Sequence, residues 1–154
     1  MIVLGLLCSL LGLTIPEVRL TDLERRFAEG SDTVYVVNFW ATWCKPCIEE
    51  LPAFDKLARK ESGKPVVVLL VSLDSPKDRS SKVEPFLRKA GYKCEAVVLN
   101  EPKPHLWIDK VDASWSGAIP ATLFIMNGRR LFREQEFTSR LLDSTFTTFR
   151  DKEK

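Results

Sequence analysis

A chain of 154 residues with 45% apolar and 29% charged side chains can bury one good core but hardly two, which implies a single globular domain. Its formal charge is only +2, with 23 Lys and Arg scattered among 21 Asp and Glu; no basic stripe is available for a phosphate backbone, and nucleic acid is not expected as a partner. Four cysteines (Cys8, Cys44, Cys47, Cys94) are too few and too unevenly spaced for a disulfide-stapled miniature fold, so at most one intramolecular pair is implied.

Residues 1–15, "MIVLGLLCSLLGLTI", carry no charge, and "PEVRLTDLERR" then switches abruptly to a globular composition. The segment is shorter than the ~20 residues of a spanning helix. It lacks a basic leader, and no A-x-A-like cleavage site follows it. It reads as a signal or membrane-anchor-like segment ahead of a domain covering residues 16–154, the competing reading being a first buried strand or helix of the fold itself. A lipoprotein signal would make Cys8 the lipidated residue, but Leu7 stands where a small residue is wanted.

Along the chain, "TDLERRFAEG" opens with Thr21, has Glu24 three residues on in a capping-box pattern, and closes at Gly30, which predicts a short first helix. The β-branched and aromatic run "TVYVVNFWA" (33–41) predicts a buried strand. "CIEELPAFDKLARKESG" then places Ile48, Leu51, Phe54, Leu57 and Ala58 at helical spacing. A continuous apolar run, "KPVVVLLVSLD" (64–74), suits a strand covered on both faces. A helix around Val83–Ala90, a third strand "CEAVVLN" (94–100) and a short helix in "HLWIDKVD" follow. Pro120 stands just before a strand Ala121–Met126, Asn127-Gly128 makes a two-residue hairpin turn, and "RRLFREQEF" returns antiparallel before a last helix from Thr138 to Arg150. This order implies a mixed sheet with helices on both faces.

Strand passes into helix at Cys44-Lys45-Pro46-Cys47. A cysteine in the first turn of a helix meets free backbone N–H groups and the positive end of the dipole, and Lys45 adds a nearby charge, so Cys44 is expected to be the more acidic, attacking thiol. Cys47 lies one turn later on the same face, in reach of a mixed disulfide at Cys44, and is the expected resolving thiol. Pro46 gives up no helical hydrogen bond in the first turn and stiffens the loop. Trp43 is expected to cover the pair from the preceding side. A zinc set of Cys44, Cys47, Cys94 and His105 is conceivable, but no second closely spaced knuckle supports it and no metal is expected. Cys94 reads as a small core residue and His105 as a surface or helix-start histidine, while Trp107 and Trp115 suit either a substrate groove or the core.

From Thr21 to about Arg150 the chain resembles a thioredoxin-fold protein, and "VNFWATWCKPCIEELP" with "GAIPATLF" resembles the extracytoplasmic TlpA/ResA-like branch. The strand, the Trp-Cys-x-Pro-Cys turn, Pro52 in the following helix and the later Ile-Pro agree together, which a lone C-x-x-C would not. The resemblance implies an α/β thioredoxin fold, a central mixed β-sheet flanked by helices on both faces. It implies that Pro120 is cis and packs against the cysteines, and that the backbone of Ile119 pairs with a bound substrate strand. Thioredoxins proper keep a buried aspartate where this chain has Asn38; the branch pattern C-x-x-C-x-x-E-x-P is met by Glu50 and Pro52, so Glu50 is the expected buried acid, able to exchange protons with the thiols.

The function implied is a thiol–disulfide oxidoreductase of the cell envelope, at the periplasmic or extracytoplasmic face, reducing exported proteins such as apocytochrome c with electrons from an upstream donor. It needs no cofactor beyond the Cys44–Cys47 pair, and residues 1–15 could attach it to the membrane. Competing readings are a disulfide oxidase or isomerase, a redox-inert interaction module of the same fold, and a metal carrier; the dipeptide Lys45-Pro46 does not fix the direction of exchange.

Overall fold

The computed structural model describes residues 14–152, so residues 1–13, with Cys8 and nearly all of the apolar leader, lie outside the described residues, as do 153 and 154. Ile15, the last residue of the leader, is buried, and its N–H donates to Glu84 at 3.1 Å, so this residue belongs to the fold.

The elements run β1 (Glu17–Val18), α1 (Leu20–Glu29), β2 (Val34–Trp40), α2 (Lys45–Lys60), β3 (Val66–Ser72), α3 (Glu84–Ala90), β4 (Glu95–Leu99), α4 (Ile108–Val111), β5 (Ala121–Met126), β6 (Arg129–Arg133) and α5 (Ser139–Asp151). They build one six-stranded sheet in the order β1-β4-β3-β2-β5-β6. β1, β4, β3 and β2 are parallel neighbours, whereas β5 and β6 run antiparallel. β2 is central and every one of its residues is buried, as its run of Val, Tyr, Phe and Trp requires.

The alternation of the strands sorts two cores. Val34, Val36 and Trp40 point with Val68 and Leu70 to one face, where Leu51, Phe54 and Leu57 of α2 and Leu142, Phe146 and Phe149 of α5 cover them. Tyr35, Val37 and Phe39 point with Leu69 and Val71 to the other, under Leu20, Leu23 and Phe27 of α1 and the pair Trp107 and Trp115. The expected mixed sheet with helices on both faces is the architecture found.

Several element boundaries differ from the expectation for physical reasons. α1 begins at Leu20, not after a Thr21 cap: Asp22 accepts from the Arg19 N–H at 3.0 Å and closes the turn there, which lets Leu20 enter the core. Residues Arg79–Val83 form a π-helical turn before α3, where Pro85 has no N–H to return to the turn behind it. The Asn127-Gly128 hairpin turn is present, both residues holding positive φ (49° and 75°) as a tight turn of this hand needs. β6 ends at Arg133, so Glu134 to Phe137 leave the sheet, with a consequence for the site.

Candidate active site

β2 ends at Trp40 and the chain turns through Ala41, Thr42 and Trp43 into α2. Cys44 is the N-cap of that helix, and its sulfur takes the place usually held by a serine or aspartate oxygen, accepting the Cys47 N–H at 3.3 Å. Cys44 and Cys47 are joined as a disulfide with an S–S distance of 2.04 Å and a Cα separation of 5.3 Å. Both are buried, Cys47 completely. On reduction the Cys44 sulfur keeps that N–H and the positive end of the α2 dipole, both of which favour its thiolate. Lys45 and Pro46 fill the first two helical positions. The Lys45 ammonium is exposed and lies 3.7 Å from Glu49, so its influence on Cys44 is screened and shared, less than the sequence reading assigned. Trp43 stands 69% exposed and lines a groove on the α4 side of the site.

The turn carrying Trp43 and Cys44 is anchored by a residue the sequence reading passed over. Asp74, 2% exposed beyond the end of β3, accepts from the Thr42 N–H at 2.9 Å and from the hydroxyls of Thr42 and Ser72 at 2.5 and 2.7 Å. Its carboxylate thus ties the turn before the cysteines to the neighbouring strand. In sequence it reads only as the polar tail of an apolar run.

Against the disulfide lies the loop entering β5. The Ile119–Pro120 peptide bond is cis, Pro120 is buried, and the Ile119 carbonyl oxygen is 3.7 Å from Cys44 Sγ. Trp115 holds this loop by donating its indole N–H to the Ala118 carbonyl at 2.7 Å. Ile119 is partly exposed, so its backbone borders both the sulfur and solvent.

Glu50 lies one turn beyond Cys47 on the inward side of α2 and is 4% exposed, whereas the side chain of neighbouring Glu49 is 59% exposed. Its Oε1 accepts from Asn38 Nδ2 at 2.7 Å and its Oε2 from the Phe137 N–H at 2.7 Å. That second bond exists because the chain leaves β6 early and turns its backbone inward. Burial pushes the Glu50 carboxyl up to about 7; the Phe137 and Asn38 donors pull against that rise, and the charge of Glu136 adds to it. Glu50 also lines a cavity of about 280 Å³ with Glu49, Glu136 and Thr138, which gives the buried acid a route to water. Asn38 donates in addition to Thr122 Oγ1 at 3.2 Å, while its own Oδ1 is buried with no hydrogen-bond partner among the described residues. The position of the usual aspartate is therefore a neutral amide that supports a carboxylate supplied from α2.

The other residues considered are not brought to the site. Cys94 is a half-buried free thiol just before β4, pushed up to about 12 by burial and, less, by the Asp55 charge. His105 is exposed on a short turn, and among the described residues no group of three or more His, Cys, Asp or Glu side chains is placed to hold a metal ion. Trp107 and Trp115 are core residues that also line the groove beside Trp43.

This sheet order, with a cysteine pair heading α2, places the molecule in the thioredoxin-fold class, a dithiol–disulfide couple with an acid beneath it. Residues 10–130 match the AhpC/TSA family, and the chain belongs to that family. It is 30% identical over 122 residues to the thiol-disulfide oxidoreductase ResA of Geobacillus thermodenitrificans, covering 77% of this chain and 65% of that one. Over 83 residues it is 36% identical to ResA of Geobacillus kaustophilus, covering 52% of this chain and 46% of the relative. The chain thus spans less than two thirds of the length of these curated relatives. Among solved structures, a thioredoxin-related protein from Neisseria meningitidis serogroup B superposes with a TM-score of 0.66 at 23% identity, over 77% of this chain and 86% of that one.

Proposed function

We propose that this chain is a thiol–disulfide oxidoreductase that reduces disulfides in exported proteins through the Cys44–Cys47 dithiol. The observation that carries the reading is the disulfide at the head of α2 with its outer sulfur 3.7 Å from the Ile119 carbonyl, where a polypeptide can lie against the loop as its sulfur is attacked. The name of the ResA relatives supports the same activity.

In the reducing direction the Cys44 thiolate attacks one sulfur of the substrate disulfide; a Cys44–substrate S–S bond forms as the substrate bond breaks, and the departing thiolate takes a proton. Cys47 then gives up its proton, its thiolate attacks Cys44 Sγ, the Cys44–Cys47 bond forms and the second substrate thiolate leaves. Two electrons have passed to the substrate. Glu50, one turn from Cys47 and open to the water-accessible cavity, accepts the Cys47 proton. An upstream dithiol protein reduces the pair again. The couple carries the electrons itself, without a further cofactor.

In its finer form the reading places this work at the extracytoplasmic face of the cell envelope, with apocytochrome c among the substrates and residues 1–15 as an export or attachment segment. The charge-free composition of that segment supports the placement. Among the described residues no helix is long and apolar enough to cross a membrane.

The test is a trap. Reduced Cys47→Ser protein mixed with a disulfide-containing protein should accumulate a covalent complex through Cys44 that dithiothreitol releases. Wild type should turn over and leave none, and Cys44→Ser should form none. Absence of the complex with Cys47→Ser would remove the exchange activity from the reading.

A further inference from the structure

The sheet ends at β6, whose outer edge meets no further strand among the described residues. Met126 pairs with Arg129 across the two-residue turn, which sets the ladder: Arg129, Leu131 and Arg133 bond to β5, and Arg130 and Phe132 turn their backbone N–H and C=O outward. By the same alternation the side chains of Arg129, Leu131 and Arg133 share the face that looks to α5. Between that face and α5 lies a cavity of about 540 Å³. Its apolar part is Leu131 and the buried Phe149, and the cations Arg129, Arg133 and Lys152 stand around them. Among the described residues no Asp or Glu lines it.

The cations differ in what already holds them. Arg129 lies over the Phe149 ring at 4.7 Å and donates to the Phe149 carbonyl at 2.9 Å. Arg130, on the other face, is paired with Glu24 at 2.9 Å. Arg133 and Lys152 are exposed and have no carboxylate partner among the described residues; Arg133 instead donates to the Phe132 carbonyl at 2.8 Å, one of the outward edge acceptors. The neighbouring carboxylate, Glu134, is engaged by the Ser116 N–H and hydroxyl at 2.8 and 2.5 Å. An open strand edge can take another strand, and the charges beside it select which one. A second copy of β6 would set arginine against arginine, which repels. We propose that the β6 edge is a docking site for an extended acidic segment of a partner protein, which pairs with the outward groups of Arg130 and Phe132 and sets carboxylates against Arg133 and Lys152. Side chains on one face of a strand recur every second residue, so the segment fits as acidic-x-apolar-x-acidic, its apolar residue over Leu131 and Phe149. The carboxylate opposite Arg133 draws the guanidinium off the Phe132 carbonyl and frees that acceptor for the ladder. A lipid phosphate would meet the cations but leave the edge groups without a strand.

The proposal goes beyond the exchange activity, and its test keeps the Cys44–Cys47 disulfide closed so that no thiol takes part. Three fluorescein-labelled peptides are titrated with the oxidised full chain and followed by fluorescence anisotropy: Ser-Glu-Thr-Val-Thr-Glu-Ser, the same peptide with Gln for Glu, and the acidic peptide N-methylated at adjacent Thr and Val. One of two adjacent amides faces β6 in any register. The acidic peptide should bind roughly tenfold tighter than the Gln peptide, as exposed opposite-charge pairs allow, and the N-methylated peptide should not bind. Arg133→Gln combined with Lys152→Gln should bring the acidic peptide to the level of the Gln peptide while leaving the urea unfolding midpoint unchanged. In amide NMR spectra the acidic peptide should shift the Arg130 and Phe132 signals and leave those of Cys44 and Cys47 in place. Equal affinity for the acidic and Gln peptides, binding of neither, or full binding of the N-methylated peptide overturns the proposal. Phosphatidylglycerol vesicles bound by wild type and released by the double variant, with the acidic peptide unbound, overturn it in favour of an anionic lipid surface.

Discussion

Replacing Glu50 with glutamine tests the buried carboxylate without touching either cysteine. In the folded protein burial lifts this group from its ordinary 4.5 to about 7. Between those two pH values the unfolded chain has given up the Glu50 proton while the folded chain still holds it. The folded state therefore binds more protons there, and stability falls as pH rises through the window. Above about 7 both states are ionised and the full penalty stands, roughly 3 kcal/mol at about 1.4 kcal/mol for each power of ten. Glutamine cannot ionise. Its carbonyl can still accept the Phe137 N–H, and its amide N–H₂ can donate to Asn38 Oδ1, the buried acceptor with no present partner, once the Asn38 amide turns over. Urea unfolding of the oxidised proteins, in which Cys44 and Cys47 do not titrate, should give Glu50→Gln and wild type similar stabilities near pH 4. The variant should gain about 3 kcal/mol by about pH 8, most of it between the two values above. A difference that stays constant over that range would mean that Glu50 titrates like an exposed glutamate, and the argument from its burial would fail.

The same residue should shape the chemistry: Glu50→Gln should alter the pH dependence of thiol reactivity in the reduced protein, while Glu49→Gln, on the exposed side of α2, should leave it as in wild type; indistinguishable profiles would remove Glu50 from proton transfer. Asp74→Ala takes the acceptor from the partly buried Thr42 N–H and from the buried Ser72 hydroxyl and should cost about 1–3 kcal/mol in urea unfolding while slowing exchange, because the turn presenting Cys44 loses its anchor; unchanged stability and rate would refute the anchoring role. Alkylation of the reduced protein near neutral pH, read by peptide mass mapping, should modify Cys44 well before Cys47 and leave Cys94 unmodified, since burial holds that thiol up at about 12. Equal rates at Cys44 and Cys47 would overturn the assignment of the attacking thiol.

The parts legible in the sequence were those set by local chemistry. β2 and β3 announced themselves as β-branched runs buried on both faces, the hairpin by Asn127-Gly128, and the site by two cysteines at a strand-to-helix junction. What stayed hidden depends on contacts distant in sequence. β1 is two residues long and exists because its backbone pairs with β4 some eighty positions away. Asp74 gives no local sign of anchoring the turn at Thr42, since the two meet only when β2 and β3 lie side by side. Asn38 was legible as the absence of an aspartate, but its donation to Glu50 was not. The run to Phe137 reads as strand by composition, and only the fold shows its N–H turned inward to the same carboxylate. The site was thus legible in its sulfur chemistry and illegible in the scaffold that tunes it.

The claim that this chain donates electrons to protein disulfides is tested most directly by the reduction potential of the Cys44–Cys47 couple, measured by equilibrating the protein against dithiothreitol or glutathione buffers and quantifying the two forms. A reductant of this kind should lie near the thioredoxin value of about −270 mV, so that its dithiol passes electrons to most exposed disulfides. A value close to the roughly −120 mV of a dedicated oxidant, or the roughly −180 mV of an isomerase, would contradict the reducing direction and turn the same site to forming or reshuffling disulfides.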